Sequence, residues 1–388
     1  MRSPRLAQRG RCVPFNLFNH IMKKFTIYFI YLLVIPLAMH ADWPEYRGGQ
    51  NLHGKTPVSI PSNAGLAWTY QTEAEIKAAP VIKDGRIVIG STDGIVYCLD
   101  LFGTLLWKLE TGYAIEAPAL IKNNTVYVGN LGGFFYAIDL LSGEKKWKHE
   151  ANNQIMAAAN YWEYDNSMYI LIGAYDYYLY CLEANTGKVV WKYEAMDYIN
   201  SAVSISGNHA VSGGCDGHLH VVDLTSGKAA QKTEVASYVA GSAVLENNLA
   251  FIGDYDGMFT CIDYISGNVK WQFEREEREL PYIGSPAISG NKLFVGNRDR
   301  FVYCLEKDSG NLLWQRNTGS RVEASPLSDG KNVLVANMRG DLLLLDESDG
   351  SIKWTYELGS AITKNPAVIE NIIVVGAMDG SVYCFVEE

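Results

Sequence analysis

Short runs of apolar residues recur along the chain and are separated by turn-forming residues. In the first well-defined unit the runs cover residues 78–82, 86–90, 95–99 and 104–109. Apolar and polar positions alternate within them, and Asp-Gly and Ser/Thr-Gly steps separate them, as expected for hairpins whose turns need the positive φ that glycine supplies. No helical spacing of apolar residues lies between the runs. The pattern predicts an all-β protein built from four short strands per unit.

The unit repeats about every 40 residues. A tryptophan marks each repeat, at spacings of 39, 40, 44, 40, 40, 43 and 40 residues once Gln231 is counted as the missing step. Four-stranded units of this period predict a β-propeller. The last repeat ends near residue 385 without a fourth strand, whereas residues 65–70 have the fourth-strand sequence and no strands before them. We therefore expect an eight-bladed ring of four-stranded antiparallel blades, closed by pairing the N-terminal strand with the last blade. The recurring tryptophans are Trp68, Trp107, Trp147, Trp191, Trp271, Trp314 and Trp354.

The first 41 residues differ from the rest of the chain. Lys23 and Lys24 precede an apolar stretch over residues 25–38, and Ala41 ends a plausible cleavage site, which is the pattern of a signal peptide over residues 22–41. Residues 1–21 precede Met22 and are interpreted as a start-site artefact. We expect cleavage near Ala41, a periplasmic or secreted protein and no membrane span after cleavage, with an uncleaved anchor as the alternative. Residues 42–65 form a lead-in segment and residues 66–388 the propeller.

Charge narrows the class of partner. The 388 residues carry a formal charge of −10, and the leader alone holds six Lys or Arg and no acid, so the remainder carries −16. A chain this acidic is poorly suited to the phosphate backbone, and nucleic acid is excluded as the main partner.

The repeated phrase supports a family resemblance. Ala137-x-Asp139-x-x-Ser142-Gly143-x-x-x-Trp147 resembles the PQQ-like repeat of quinoprotein-like propellers, and imperfect copies cover nearly all of residues 66–386. The resemblance implies that each tryptophan docks between neighbouring blades. It also implies one of two kinds of function, because the family contains PQQ-dependent dehydrogenases and non-catalytic scaffolds such as BamB, an outer-membrane-protein assembly lipoprotein.

The residues that the dehydrogenases need are not evident. The sequence has no adjacent pair of cysteines, no Cys-x-x-Cys-His and no long inserted loops. No catalytic, cofactor-binding or metal-binding residue is therefore assigned, and no cofactor is expected, with PQQ and Ca²⁺ as the alternative. The third-strand cysteines are interpreted as buried thiols. The aspartates that recur between the second and third strands are interpreted as structural turn residues: Asp93, Asp176, Asp216, Asp256, Asp299 and Asp379.

Two candidate surfaces lie at one end of the ring. The resemblance implies that the turns between second and third strands share a face with the loops that enter the innermost strands, where Tyr113, Tyr198, Tyr238 and Tyr282 fall. Tyr, Met and Arg are enriched at protein interfaces. The candidate interaction face comprises Tyr175, Tyr255, Arg298, Met338, Met378, Arg275 and Arg278. The candidate channel mouth comprises Lys77, Glu116, Asn200 and Glu323.

The leading hypothesis is an exported, monomeric, non-enzymatic scaffold that binds another protein in the bacterial cell envelope. One alternative is a PQQ-dependent dehydrogenase acting on an alcohol or a sugar. The other is a sensor that binds a small ligand or glycan at the channel mouth.

Overall fold

The computed structural model describes residues 42–235, 237–275 and 280–388. It shows the predicted all-β, eight-bladed propeller of four-stranded antiparallel sheets. Apart from one 3-10 turn at Tyr46–Gly48, the regular structure of the described residues consists of strands. None of their helices is long and apolar enough to cross a membrane.

In blades 1 to 7 the strands follow the chain from the channel outward, whereas the outermost strand of blade 8 is the N-terminal strand. Strand β1 is Ala64–Gln71. Blade 1 consists of β2 Val81–Lys83, β3 Arg86–Gly90, β4 Ile95–Asp100 and β5 Leu105–Glu110; blade 2 of β6 Leu120–Lys122, β7 Thr125–Gly129, β8 Phe134–Asp139 and β9 Lys145–Glu150; blade 3 of β10 Asn160–Tyr164, β11 Ser167–Gly173, β12 Tyr178–Glu183 and β13 Val189–Glu194; and blade 4 of β14 Ser204–Ser206, β15 His209–Gly213, β16 His218–Asp223 and β17 Lys228–Glu234.

The second half of the ring repeats this arrangement. Blade 5 consists of β18 Val244–Glu246, β19 Leu249–Gly253, β20 Phe259–Asp263 and β21 Asn268–Phe273; blade 6 of β22 Ala287–Ser289, β23 Lys292–Gly296, β24 Phe301–Glu306 and β25 Leu312–Asn317; blade 7 of β26 Leu327–Ser328, β27 Asn332–Ala336, β28 Asp341–Asp346 and β29 Ile352–Glu357; and blade 8 of β30 Ala367–Ile369, β31 Ile372–Gly376, β32 Ser381–Glu387 and β1. The innermost strand of blade 1 is shorter than the expected 78–82, and Pro80, which has no N–H to donate, precedes it.

Blade 8 closes the ring as the sequence predicts. Strand β1 pairs antiparallel with β32, from Ala64 opposite Glu387 to Gln71 opposite Ser381. The backbone N–H of Thr72 then donates to the carbonyl of Gly380 at 2.8 Å. The two ends of the propeller are thus held in one sheet, and that sheet has no missing strand.

Tryptophans dock neighbouring blades at seven of the eight junctions; Gln231 occupies the position between blades 4 and 5. The indole N–H of Trp107 donates to the carbonyl of Leu140 in blade 2 at 2.9 Å, and five other tryptophans repeat this bond with the carbonyl that follows the third strand of the next blade. Gly143 lies against the Trp107 ring, where an added Cβ would approach to 2.7 Å. The Ser/Thr-Gly and Asp-Gly turns therefore leave room for the indole. Trp354 packs instead against Phe385 of blade 8, at 6.2 Å between ring centroids.

The turn aspartates are structural in five of the six cases. Asp176 accepts the backbone N–H of Tyr178 at 3.3 Å and the hydroxyl of Tyr180 at 2.6 Å. Asp93, Asp216, Asp299 and Asp379 accept equivalent bonds, with His220 in place of tyrosine beside Asp216. The expectation is wrong for Asp256. In that turn the buried Asp254 accepts the N–H of Met258 at 2.9 Å, because it occupies the position that asparagine holds in blades 2, 6 and 7.

Candidate interaction face and central channel

The lead-in segment closes one end of the central channel. The carbonyl of Pro44 accepts the N–H of Ile121 in blade 2, and that of Asn51 accepts the N–H of Leu245 in blade 5. Further backbone bonds join this segment to the innermost strands of blades 1, 4, 6 and 7. Residues 43–56 therefore use hydrogen-bonding groups that innermost strands would otherwise expose to the channel. We call this the closed end, and the opposite end, which carries the two candidate surfaces, the mouth face.

Arg47 holds the segment in place from inside the ring. Its side chain is fully buried, and its guanidinium donates to the carbonyls of Leu52, Pro286 and Pro326. Burial lowers the pKa of Arg47 to about 10. A buried cation without a carboxylate partner needs such a set of carbonyl acceptors. Gly54 has a φ of +64°, and an added Cβ there would lie 2.4 Å from the guanidinium, so this position has no room for a side chain.

Little space remains between the closed end and the mouth. Tyr46 lies at the bottom, small side chains such as Ala158 and Ser242 line the walls, and the cavity volume is about 30 Å³. That volume holds about one or two waters, whereas an organic cofactor needs roughly 300 Å³ or more. The channel residues therefore do not fit the tricyclic quinone of the family's dehydrogenases. Among the described residues, no group of three or more His, Cys, Asp or Glu side chains could hold a metal ion.

The four channel-mouth residues occupy equivalent positions on blades 1, 2, 4 and 7. Each directly follows the buried aliphatic residue that ends the entering loop, as Glu116 follows Ile115. The ammonium group of Lys77 lies 2.9 Å from a Glu75 carboxylate oxygen and 3.7 Å from one of Glu116. Glu323 accepts a hydrogen bond from Arg298 at 2.8 Å. The mouth charges are thus largely paired with one another.

The two candidate surfaces meet around Tyr175. Its ring stacks on Tyr198 at 4.6 Å between centroids, and Tyr177 lies 5.3 Å from the same ring. Burial raises the pKa of Tyr175, and Cys215, Glu116 and Tyr255 lie close enough to raise it further. In blade 5, the carbonyl of Tyr238 accepts the N–H of Tyr255. We call Tyr175, Tyr177, Tyr198, Tyr238 and Tyr255 the tyrosine patch.

The remaining candidates are divided between surface and core. Arg298 lies 6.0 Å from the Tyr255 ring, so it continues the patch toward blade 6. Met338 and Met378 are half-buried in the equivalent turns of blades 7 and 8. Arg275 bonds to Gln315 at the edge of blade 6. The expectation that Tyr282 lies on this face is wrong. It is 1% exposed and fills the position that Ile115 holds in blade 2. Arg278 lies outside the described residues.

Two mouth-face turns contain a large residue where the backbone favours glycine. The last of the four residues in the turn between second and third strands is glycine with φ between +72° and +92° in six blades, for example Gly94 and Gly340. In blade 3 it is Tyr177 with φ +75°, and in blade 6 it is Arg300 with φ +79°. A side chain in this conformation costs about 1–2 kcal/mol. The replacement of glycine by Tyr177 and by Arg300 is visible when the repeats are aligned. Only the structure shows that both residues have a positive φ and that both turns lie on the mouth face.

Comparisons with known proteins give the family and the fold. The sequence model described as outer membrane protein assembly factor BamB matches residues 58–163, 175–321 and 298–387. No curated protein gives a match.

Several solved structures share the fold. BamB from Moraxella catarrhalis is 17% identical, with 83% of this chain and 99% of that chain covered at a TM-score of 0.70. A quinohemoprotein alcohol dehydrogenase from Comamonas testosteroni is 13% identical, with coverages of 89% and 80% and a TM-score of 0.74. The computationally designed Ika8 protein is 20% identical, with coverages of 81% and 97% and a TM-score of 0.71. At these identities the structures show the fold alone. The family match spans most of the chain, so the predicted resemblance is confirmed: the protein belongs to the BamB family of PQQ-like repeat propellers.

Proposed function

We propose that this protein is a non-enzymatic scaffold that binds a protein partner on its mouth face, in the envelope of a bacterial cell. The observation that carries the proposal is the tyrosine patch. Tyr198 is 36%, Tyr177 40% and Tyr255 41% exposed, and Tyr238 is 58% exposed. Large aromatic surfaces with hydroxyl groups are typical of the centre of protein interfaces.

The channel supports a binding role over an enzymatic one. Among the described residues, the closed end and the channel volume of about 30 Å³ leave no interior pocket large enough for a quinone or a sugar. The family description names an assembly factor, whose role is protein interaction. Cleavage of the 22–41 leader would deliver the ring to the periplasm, where such a partner would be met.

Site-specific crosslinking in intact cells tests the proposal. A photoreactive phenylalanine analogue replaces Tyr198 or Tyr238 on the mouth face. The matched control places it at Phe102, which is 85% exposed in the turn between β4 and β5 of blade 1. We expect one discrete protein adduct from the mouth positions and none from Phe102. Tyr175→Ala combined with Tyr255→Ala should remove the adduct without unfolding the ring. Equal adducts from Phe102, or none from either mouth position, would refute docking on this face.

Calorimetric titration addresses the enzymatic alternative. We expect no saturable binding of PQQ, with or without Ca²⁺. Binding with a Kd of about 1 µM or tighter, which corresponds to about −8 kcal/mol, would contradict the non-enzymatic role and call for oxidation assays.

A further inference from the structure

A cleft on the mouth face between blades 6 and 7 is rich in arginine. Its volume is about 660 Å³, and its walls include Arg298, Arg300, Arg321 and Asn317, with Leu280 and Pro281 at one side. The cleft adjoins the tyrosine patch through the contact of Arg298 with Tyr255. This concentration of positive charge is unexpected in a chain whose residues 42–388 carry a formal charge of −16.

Two of the guanidinium groups have no compensating carboxylate among the described residues. Arg298 is neutralised by Glu323 at 2.8 Å, and Asp299 accepts bonds from the N–H of Phe301 and the hydroxyl of Tyr303. Arg300 and Arg321 are exposed, and neither makes an ion pair with another residue that the structure describes. The cleft therefore presents two planar, fully charged donors that can bind an anion.

The backbone of Arg300 adds an independent observation. This residue has a φ of +79° at a position where six other blades have glycine. Strained backbone conformations persist where the surrounding structure enforces them, and they are concentrated at binding sites. Tyr177 is the other large residue at this position, and it lies in the tyrosine patch. The two exceptions to the glycine rule thus coincide with the two surfaces on the mouth face that are suited to binding.

We infer that this cleft binds an acidic, extended segment of the protein partner. Asp or Glu side chains of that segment pair with Arg300 and Arg321, since the guanidinium fork matches a carboxylate with two parallel hydrogen bonds. An apolar side chain next to the acids packs against Leu280, which is 41% exposed. The inference rests on the proposed scaffold function and specifies the chemistry of the partner.

The test measures binding of a fluorescein-labelled peptide, Leu-Glu-Glu-Asp-Glu-Leu, to the purified protein by fluorescence anisotropy at low salt. Two control peptides have the same length. In one, glutamine and asparagine replace the acidic residues, and in the other, lysine replaces them. We expect saturable binding of the acidic peptide only. Arg321→Gln and Arg300→Gly should each weaken it about tenfold, the effect of losing one charge-assisted pair. Lys188→Gln, which removes a positive charge from an exposed turn of blade 3, should leave it unchanged.

Four outcomes would overturn the inference. Equal binding of the acidic and amide peptides would exclude carboxylate recognition. Weakening by Lys188→Gln as large as that by Arg321→Gln would show nonspecific charge attraction. Displacement by inorganic phosphate or heparin at concentrations where free glutamate has no effect would assign the cleft to phosphate or sulfate ligands. Arg300→Gly restores the residue of six other blades, so loss of folding does not confound the result. If crosslinks from Tyr198 persist while the peptide fails to bind, the scaffold function stands and only the acidic-segment inference fails.

Discussion

The junction between blades 4 and 5 offers a test of what the docking tryptophans contribute. There Gln231 replaces the tryptophan, whereas the preceding junction has Trp191, whose indole donates to the carbonyl of Leu224 at 2.9 Å. Gly227 lies against that indole, and Gly267 occupies the equivalent place beside Gln231. Trp191→Gln and Gln231→Trp therefore exchange the two side chains at matched positions.

The magnitude follows from area and hydrogen bonding. The half-buried indole covers about 100 Å² more apolar surface than the methylenes of glutamine, which gives about 2.5 kcal/mol at about 25 cal/mol per Å². The lost hydrogen bond adds about 1 kcal/mol. We expect Trp191→Gln to lower the free energy of unfolding by about 3.5 kcal/mol, or the thermal midpoint by about 5 °C for a chain of this size.

The reverse substitution should stabilise the ring by a smaller amount. Gln231→Trp gains the same kind of contact, and the carbonyl of Tyr264, which follows β20 as Leu224 follows β16, is placed to accept the indole N–H. Because the neighbouring side chains are packed around glutamine, we expect only about 1–2 kcal/mol. The assay is equilibrium unfolding in urea, followed by tryptophan fluorescence and by circular dichroism. If Trp191→Gln leaves the midpoint unchanged, or if Gln231→Trp destabilises as much as Trp191→Gln, the tryptophans do not stabilise the ring by docking its blades.

Two further predictions concern titratable groups. Burial lowers the pKa of His220, which lies 3.0 Å from the Tyr193 hydroxyl and 3.0 Å from Asp216, so the unfolded chain takes up a proton more readily than the folded one. The free energy of unfolding should therefore fall as the pH decreases through His220's ordinary pKa of about 6.5 toward the lower folded value. His220→Tyr supplies the residue found beside Asp176 and should flatten this pH dependence, measured by urea unfolding. An unchanged pH dependence in the variant would contradict the prediction. Burial also raises the pKa of Cys98, Cys181, Cys261, Cys304 and Cys384 to about 12, so these free thiols should resist Ellman's reagent until the protein unfolds. Prompt labelling of several thiols in a folded Cys12→Ser variant would refute that burial.

The repeat makes most of the fold predictable. A tryptophan recurs about every 40 residues, the N-terminal segment is a fourth strand without the three strands before it, and the last repeat lacks its fourth strand. These features define the blades, the docking contacts and the closure of the ring. The same regularity identifies Asp176 and its equivalents as turn residues, because a residue that recurs at the same position in many blades has a structural role in the blade rather than a role in one site. Regularity is a poor guide where a blade departs from it. The position of Tyr282 in a loop predicts that it lies on the surface, but it occupies a buried aliphatic position.

The closed channel is not predictable from the sequence. Residues 43–56 occur once, and their partners are backbone groups of blades far apart in the chain. Nothing in the composition of the segment indicates that Arg47 is buried, since an arginine beside two glycines usually lies in a solvated turn. Its environment exists only after the ring has formed. The strained turns at Tyr177 and Arg300 are visible in the sequence as missing glycines, yet the sequence does not show that the two share one face with the tyrosine patch.

The closure of the ring has a consequence for the order of events during synthesis. Thr72 bonds to Gly380, 308 residues further along the chain, and Arg47 bonds to carbonyls of blades 6 and 7. The first structured residues to be made are therefore among the last to find their partners, while the blades between them form from local hairpins. Until the C-terminal repeats arrive, Leu66 and Trp68 lack their sheet partner and present an open apolar edge. In a chain that stops short of residue 380, strand β1 has no partner and the ring does not close. Chaperones and proteases can therefore recognise incomplete chains by the unpaired N-terminal strand.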